Sequence, residues 1–260
     1  MLVATRTPLL TAVEKTAYRA SLLMRAAVHP EKKAIGVWSV AETANHLSHC
    51  YVAFIDAFQG TFTAAPDEVD AHNAEVLAQD PERDLAVLAD RVEAGMHDYL
   101  EVAGEVDEDE LVDFFKGMLV PASAVTATLL GEVLVHGDDI AKAEGLPWRI
   151  EPEHAILMME GLIPVMVHFV DQEAAADLEA GFEIRLRGGR THYWYFEGGR
   201  LTVESSQVLP VDCHIVADPV TFLLMSYNRI GPTVPALSGK VRVWGRKPWL
   251  ATRLGGVFKT

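Results

Sequence analysis

Four long amphipathic segments fill the first half of the chain, and they limit its fold more than any other feature. Apolar residues recur in them at steps of three and four, the spacing that places them on one face of a helix. The segments are residues 7–28, 38–60, 80–104 and about 121–144. Because modest connections join them, the sequence predicts a four-helix bundle over residues 1–147.

Local signals mark where some of these helices begin. Ser39 is followed three residues later by Glu42, which is the spacing of a capping box and predicts that Ser39 is an N-cap. Asp80 is predicted to cap the third helix, with Pro81 at its first helical position. Residues 67–79 fit either a helical lead-in or a long loop.

The pattern changes after Pro147. Residues 151–172 predict one more helix, which Pro164 can break. Short alternating or β-rich runs then predict strands at 182–188, 191–199, 200–206, 212–218 and 239–245. Short helices are expected at 219–228 and at the end of the chain. The sequence therefore predicts an α+β protein, in which a smaller α+β domain over residues 148–260 follows the bundle.

The balance of charge argues against two classes of partner. The formal net charge is −15 at pH 7, and the sequence contains no long run of lysine or arginine. A phosphate backbone or an anionic membrane surface would be repelled by such a chain. We therefore expect neither a nucleic-acid partner nor a membrane partner. We also expect the chain to be a monomer or a homodimer.

Cysteine usage and the most apolar stretch bear on location. The two cysteines, Cys50 and Cys213, lie far apart in the sequence and suit a reducing interior better than a disulfide framework. The N-terminal residues lack the apolar core of a signal peptide. Residues 154–170 are interrupted by Gly161 and Pro164, so they predict a buried helix rather than a membrane span. The expected location is the cytoplasm.

A carboxylate and two imidazoles are the candidate metal ligands. Glu132 and His136 are four residues apart on a predicted helix, so both side chains project from one face within reach of one divalent ion. The pair alone is also compatible with a solvated helix face. His46 lies among apolar residues of the second helix and is expected to face the bundle. Two histidines and one glutamate form a common catalytic zinc set with an open fourth position, although other divalent metals accept the same ligands.

Other side chains near these three admit different roles. Cys50, four residues after His46, could supply a thiolate and make a structural zinc site instead. Asp139, three residues after His136, could be a ligand, but it is better suited to holding the other ring nitrogen of that histidine. The residues expected at the surface or in solvent are His72, His97 and Asp138.

Two motifs resemble those of a known family. Residues 38–47, WSVAETANHL, resemble the first metal-histidine motif of the DinB-like superfamily in its mycothiol-dependent maleylpyruvate isomerase branch. Residues 132–145, EVLVHGDDIAKAEG, are similar to the second motif of that branch. The tail from about residue 182 to residue 246 is similar to the sterol-carrier-like domain that often follows it. Carried onto this chain, the resemblance implies zinc held by His46, Glu132 and His136, with mycothiol as the thiol cofactor or cosubstrate.

The same resemblance points to one residue of the second domain. The isomerase carries an arginine at the end of a helix, and the matching stretch here is SYNRIGP, with Arg229 as the candidate catalytic residue. Arg229 would bind a substrate carboxylate through two charge-assisted hydrogen bonds, or it is a surface arginine. Asn228 stands where glycine is usual, and Ser226 and Tyr227 also depart from the pattern. These departures weaken the expectation of maleylpyruvate as substrate more than the expectation of a metal.

Three functions remain open at this point. The leading interpretation is a metal-dependent isomerase or S-transferase in which a metal-activated thiol attacks a small electrophile. A non-catalytic, metal-containing protein that binds a small ligand or lipid is the second. A metal-dependent hydrolase, in which the same ligands activate water, is the third.

Overall fold

Four long helices pack together in the first part of the chain. The computed structural model describes residues 7–259, which divide into two units after Ile150, whereas the sequence analysis places the boundary after residue 147. The bundle helices of the first unit are α1 (Pro8–Ala26), α2 (Val40–Gln59), α4 (Leu85–Gly104) and α5 (Ala122–Glu144), with the shorter α3 (Val69–Gln79) between the second and third of them. Side chains that are fully buried in this unit include Tyr51, Leu88, Tyr99, Leu130 and Leu134. The predicted four-helix bundle is confirmed.

The helix that carries His46 begins at the predicted residue. The backbone N–H of Glu42 donates to Ser39 Oγ at 3.2 Å, and the backbone N–H of Ser39 donates to Glu42 Oε2 at 2.8 Å. This reciprocal pair is the capping box. Gly60 ends the helix with φ of 70°, a left-handed conformation that glycine adopts without a steric penalty. The local sequence therefore fixes both ends of α2.

The predicted start of the third bundle helix is wrong by several residues. The helix begins at Leu85, and Asp84 is its N-cap, with its carboxylate accepting from two backbone N–H groups of the first turn. Asp80 lies in the preceding loop, where its carboxylate contacts His49 and Arg91. Those tertiary contacts hold Asp80 away from a capping position. Residues 67–79 are largely helical, since a short 3₁₀ turn leads directly into α3.

Two hairpins in the first unit have no counterpart in the sequence predictions. One pairs β1 (Lys33–Ile35) with β2 (Trp38–Ser39), directly before α2. The other pairs β3 (Leu111–Phe115) with β4 (Met118–Pro121), directly before α5. The second hairpin buries Phe114 and Phe115 against the bundle, and both rings become part of the candidate site.

The second unit is built on a five-stranded sheet. The strands are β5 (Ala180–Leu186), β6 (Thr191–Glu197), β7 (Arg200–Glu204), β8 (Cys213–Ala217) and β9 (Val241–Gly245). Their order is β7-β6-β5-β8-β9, and only the pair β5 and β8 is parallel among the described strands. All five coincide with the predicted strands, so the α+β class is confirmed.

Short helices complete the second unit. They are α6 (Pro152–Gly161), α7 (Ile163–Met166), α8 (Pro219–Ser226) and α9 (Thr233–Leu237), with a 3₁₀ helix at Pro248–Gly256. The predicted helix over residues 151–172 is broken next to Pro164, as proline permits. No helix within residues 7–259 has both the length and the apolar character that crossing a membrane requires.

Candidate metal centre and adjoining cavity

Three of the predicted ligands meet between α2 and α5. His46 Nε2 lies 3.2 Å from Glu132 Oε2, and His136 Nε2 lies 3.3 Å from the same oxygen. One donor atom from each residue can be chosen so that all three lie within 4.8 Å of one another. Metal–ligand bonds of about 2.0–2.2 Å in a tetrahedral zinc site place neighbouring donors roughly 3.4 Å apart. The donor set therefore fits one divalent ion.

Burial and hydrogen bonding set the charge of this cluster. Burial lowers the pKa of His46 and so favours its neutral form. Burial also opposes protonation of His136, but its contacts with Asp139 and Glu132 raise the pKa of this imidazole to about 9. Glu132 is buried as well, yet the neighbouring imidazoles hold the pKa of its carboxyl well below the usual value. Binding of a divalent ion would displace the second ring proton that the raised pKa keeps on His136. With Glu132 and Asp139 ionised and both imidazoles then neutral, the ion would bring the formal charge of the site to zero.

Asp139 makes the contact predicted for it. His136 Nδ1 lies 3.0 Å from Asp139 Oδ2, and Nδ1 must be the donor because an ionised carboxylate can only accept. The contact leaves Nε2 directed at Glu132, the orientation a ligand needs. The prediction for Asp138 is wrong: this side chain is buried rather than solvated, because Lys142 one turn later pairs with it at 2.6 Å.

Cys50 lies close to the cluster but does not belong to it. Its sulfur is 3.4 Å from His46 Nε2, and the residue is buried. Burial raises the pKa of the Cys50 thiol well above its ordinary value, which disfavours a thiolate. Within residues 7–259, His46, Glu132 and His136 are the only group of three His, Cys, Asp or Glu side chains with converging donor atoms. The structure therefore favours the His-Glu-His set over a thiolate site.

Trp38 was not predicted to take part in the site. Its ring centroid lies 4.9 Å from that of His46 and 6.2 Å from that of His136. The β1–β2 hairpin places this indole one residue before the N-cap of α2. Trp38 therefore packs beside both imidazoles of the cluster.

A cavity of about 270 Å³ adjoins the candidate metal centre in the first unit. His46 and Glu132 lie on its wall, so a molecule in the cavity would contact two of the three donor residues. The remaining wall comes from α2, α3, the connection between them, β3 and one residue of α5. Its apolar side chains are Val52, Ala53, Phe54, Phe62, Val69, Val76, Leu77, Phe114 and Phe115.

His72 was expected at the surface, but it lines this cavity. The residue is half-buried, and its ring packs edge-on against Phe62 at 5.5 Å between centroids. His97, by contrast, is exposed as predicted. The difference arises because α3 lies against the cavity, which the sequence could not show.

Arg229 lies in the second unit, just after α8. Its guanidinium donates from Nη1 to the backbone carbonyl of Tyr227 at 2.7 Å. Asn228, at the position where the resemblance predicts glycine, has φ of 56°. Asparagine tolerates this left-handed conformation better than most residues do, so the replacement preserves the local turn. The catalytic role of Arg229 stays a prediction.

Comparison with known proteins agrees with the geometry of the first unit. Residues 33–141 match the family described as Mycothiol maleylpyruvate isomerase N-terminal domain. The match lies wholly within the first unit and covers most of it. The matched range contains His46, Glu132, His136 and Asp139, together with every residue that lines the cavity.

Solved structures extend the likeness to both units. A crystal structure of the mycothiol-dependent maleylpyruvate isomerase is 13% identical, covers 91% of this chain and 93% of its own, and gives a TM-score of 0.53. A mutant of that isomerase gives 12% identity, the same coverage and a TM-score of 0.54. At these identities the likeness shows the fold. A UbiJ-SCP2 ubiquinone synthesis protein covers 42% of this chain and 92% of its own at 14% identity, with a TM-score of 0.31, which is too low to support a conclusion. No curated protein matches the chain.

Proposed function

We propose that the protein is a metal-dependent, thiol-using enzyme, an isomerase or an S-transferase that acts on a small electrophile. The proposal rests on the position of His46 and Glu132. Each of them offers a donor atom to the candidate metal centre, and each also lines the cavity. A purely structural metal would not need an adjoining cavity.

His46, Glu132 and His136 would hold the ion, and zinc is the metal we expect. A divalent ion held there would lower the pKa of a bound thiol, and the nucleophilic thiolate would then be available near neutral pH. Asp139 keeps the Nδ1 proton on His136 and thereby orients Nε2 toward Glu132. Three protein ligands would leave a fourth position for the thiol.

Mycothiol is the thiol that we propose. The support is the match of residues 33–141 to a mycothiol maleylpyruvate isomerase domain and the fold likeness to a mycothiol-dependent enzyme. The thiolate sulfur would form a bond to an electrophilic carbon of the second substrate. In an isomerase that bond breaks again after rotation about the adjacent carbon–carbon bond. In a transferase that adds the thiol across a double bond, the bond persists and the thiol proton ends on the neighbouring carbon.

The test is a turnover screen with zinc-loaded protein, mycothiol and a panel of unsaturated and other electrophiles, with products identified by mass spectrometry. We expect conversion that requires both zinc and thiol and that is lost in His136→Ala. Turnover that needs zinc but no thiol would indicate a hydrolase. Ligand binding without any turnover would indicate a binding protein. Either result would overturn the proposal.

A further inference from the structure

We propose that the electrophile is an uncharged, mainly apolar molecule about the size of one aromatic ring with a short unsaturated chain. It would occupy the cavity beside His46 and Glu132. This inference rests on the proposed function and names the substrate class for the same site.

Aromatic side chains form a large part of the cavity wall. Phe54 packs against Phe114 with ring centroids 5.0 Å apart, and Phe114 packs against Phe115 at 4.3 Å. Phe62 adds a fourth ring, 5.8 Å from Phe115. A connected aromatic surface of this kind favours an apolar or aromatic guest, because both surfaces leave water on binding.

Several polar side chains on the wall already have partners. His49 Nε2 lies 2.8 Å from Asp80 Oδ2. The Thr61 hydroxyl lies within hydrogen-bond distance of the Asp56 carboxylate at 3.1 Å, and the Thr128 hydroxyl donates at 2.8 Å to the carbonyl one turn earlier on α5. A charged or strongly polar substrate would have to compete with these contacts or lose its own hydration without replacement.

The charges on the wall disfavour an anion. No lysine or arginine lines the cavity in the described part of the chain, whereas the carboxylates of Asp56 and Glu132 do. A bound divalent ion would not reverse this balance, since Glu132 and Asp139 together match its charge. The protein as a whole carries a formal net charge of −15. A dicarboxylate in this cavity would therefore meet the repulsion of two carboxylates and find no lysine or arginine on the wall.

The cavity volume indicates how much of a guest the wall can surround. An apolar cavity of about 150 Å³ accommodates benzene. The cavity here is about 270 Å³. One ring with a chain of a few atoms would therefore fit, with the chain reaching the wall formed by His46 and Glu132.

A matched pair of probes tests the inference by calorimetry on the zinc-loaded protein without thiol. 4-Phenylbut-3-en-2-one is a neutral unsaturated ketone, and cinnamate has the same number of non-hydrogen atoms but carries a carboxylate. We expect the ketone to bind at least about tenfold more tightly than cinnamate, and maleate to bind more weakly still. Binding of cinnamate or maleate as tight as that of the ketone would overturn the inference.

Lysine substitutions on the cavity wall test whether the probes bind in the cavity. Val76→Lys and Val52→Lys each bring a cation to the cavity wall from a half-buried or exposed position, so both substitutions should be tolerated. Each should weaken binding of the ketone and strengthen binding of cinnamate. Val87→Lys is the matched control, since Val87 is exposed on α4 and does not line the cavity. The inference fails if Val87→Lys changes the ratio of ketone affinity to cinnamate affinity as much as the wall variants do. It also fails if neither wall variant changes that ratio.

Arg229→Gln addresses the rival possibility that a carboxylate-bearing substrate is held by the second unit. A tenfold loss for cinnamate or maleate, with those anions binding more tightly than the ketone to the wild type, would favour the rival.

Failure of the inference and failure of the proposed function give different results. Binding of the ketone needs neither thiol nor turnover, so it can succeed while every thiol-dependent reaction fails. Conversely, zinc- and thiol-dependent turnover of an anionic electrophile, with no binding of the ketone, would keep the proposed function and discard the substrate class.

Discussion

Replacing Asp139 by asparagine should weaken zinc binding by about 10- to 100-fold, although Asp139 itself is not among the three ligands. Its carboxylate lies 3.0 Å from His136 Nδ1 and is buried, so the contact is made in surroundings that screen charge poorly. Asparagine keeps the shape of the side chain but removes its charge. It can also turn its NH₂ group toward the ring and favour the wrong tautomer. The expected loss corresponds to about 1.4–2.8 kcal/mol of binding free energy.

Asp138→Asn is the matched control for that change. Asp138 is the adjacent residue and is also buried, but it pairs with Lys142 and not with a ligand histidine. Zinc affinity should be measured at pH 7 by competition with a chromophoric chelator, after circular dichroism has shown that both variants are folded. The control should stay within about twofold of the wild type. Unchanged affinity in Asp139→Asn, or an equal loss in the control, would refute the reasoning.

Three further predictions concern stability. Ser39→Ala removes the side-chain cap of α2 and should lower the free energy of unfolding by about 1 kcal/mol in urea denaturation; an unchanged value would contradict the role of the capping box. Gly137→Ala places a methyl group inside contact distance of the Trp148 ring and should lower the free energy of unfolding by about 1–3 kcal/mol. Gly104→Ala is the control and should change it little, because the added methyl group meets no neighbouring atom. Equal effects of the two substitutions would contradict the packing argument. Burial opposes ionisation of Asp80, but hydrogen bonds from a backbone N–H, a histidine and an arginine lower the pKa of its carboxyl to about 2. The stability that Asp80 contributes should therefore be present above about pH 4 and lost as the pH falls through about 2, so the difference in unfolding free energy between wild type and Asp80→Asn should shrink in that window. A difference that stays constant down to pH 2 would contradict this.

Local signals were sufficient for much of the fold. The capping box at Ser39 and the glycine at position 60 define α2 in the sequence and in the structure alike. The five strands of the second unit coincide with short β-rich runs bounded by turn residues. In each case the residues that determine the structure are neighbours in the chain.

The predictions failed where distant contacts decide the outcome. Asp80 and Asp84 are four residues apart and both are good N-caps, but contacts of Asp80 with His49 and Arg91 leave the capping role to Asp84. The β3–β4 hairpin was missed because neither LVDFF nor MLVP alternates regularly between apolar and polar residues. Two of the four phenylalanines on the cavity wall come from that hairpin, so the cavity could not be predicted either.

The candidate metal centre was predicted in part from the sequence spacing of its residues. Glu132 and His136 share a helix face by their four-residue separation, and Asp139 follows at three. No local pattern places His46 beside them, because α2 and α5 meet only in the folded bundle. Its inclusion from sequence rested on its apolar neighbours and on the family resemblance. Trp38, which belongs to the same motif as His46, received no role because its contact with the two imidazoles depends on the β1–β2 hairpin.

The position of a bound metal in the crystal is the most direct test. The account predicts one anomalous-scattering peak per chain at the zinc absorption edge, about 2.0–2.2 Å from His46 Nε2, from His136 Nε2 and from a carboxylate oxygen of Glu132. It further predicts that the peak vanishes in His136→Ala crystals grown under the same conditions. A zinc-soaked wild-type crystal with no peak among these three side chains would contradict the account, as would a peak that remains there in the variant.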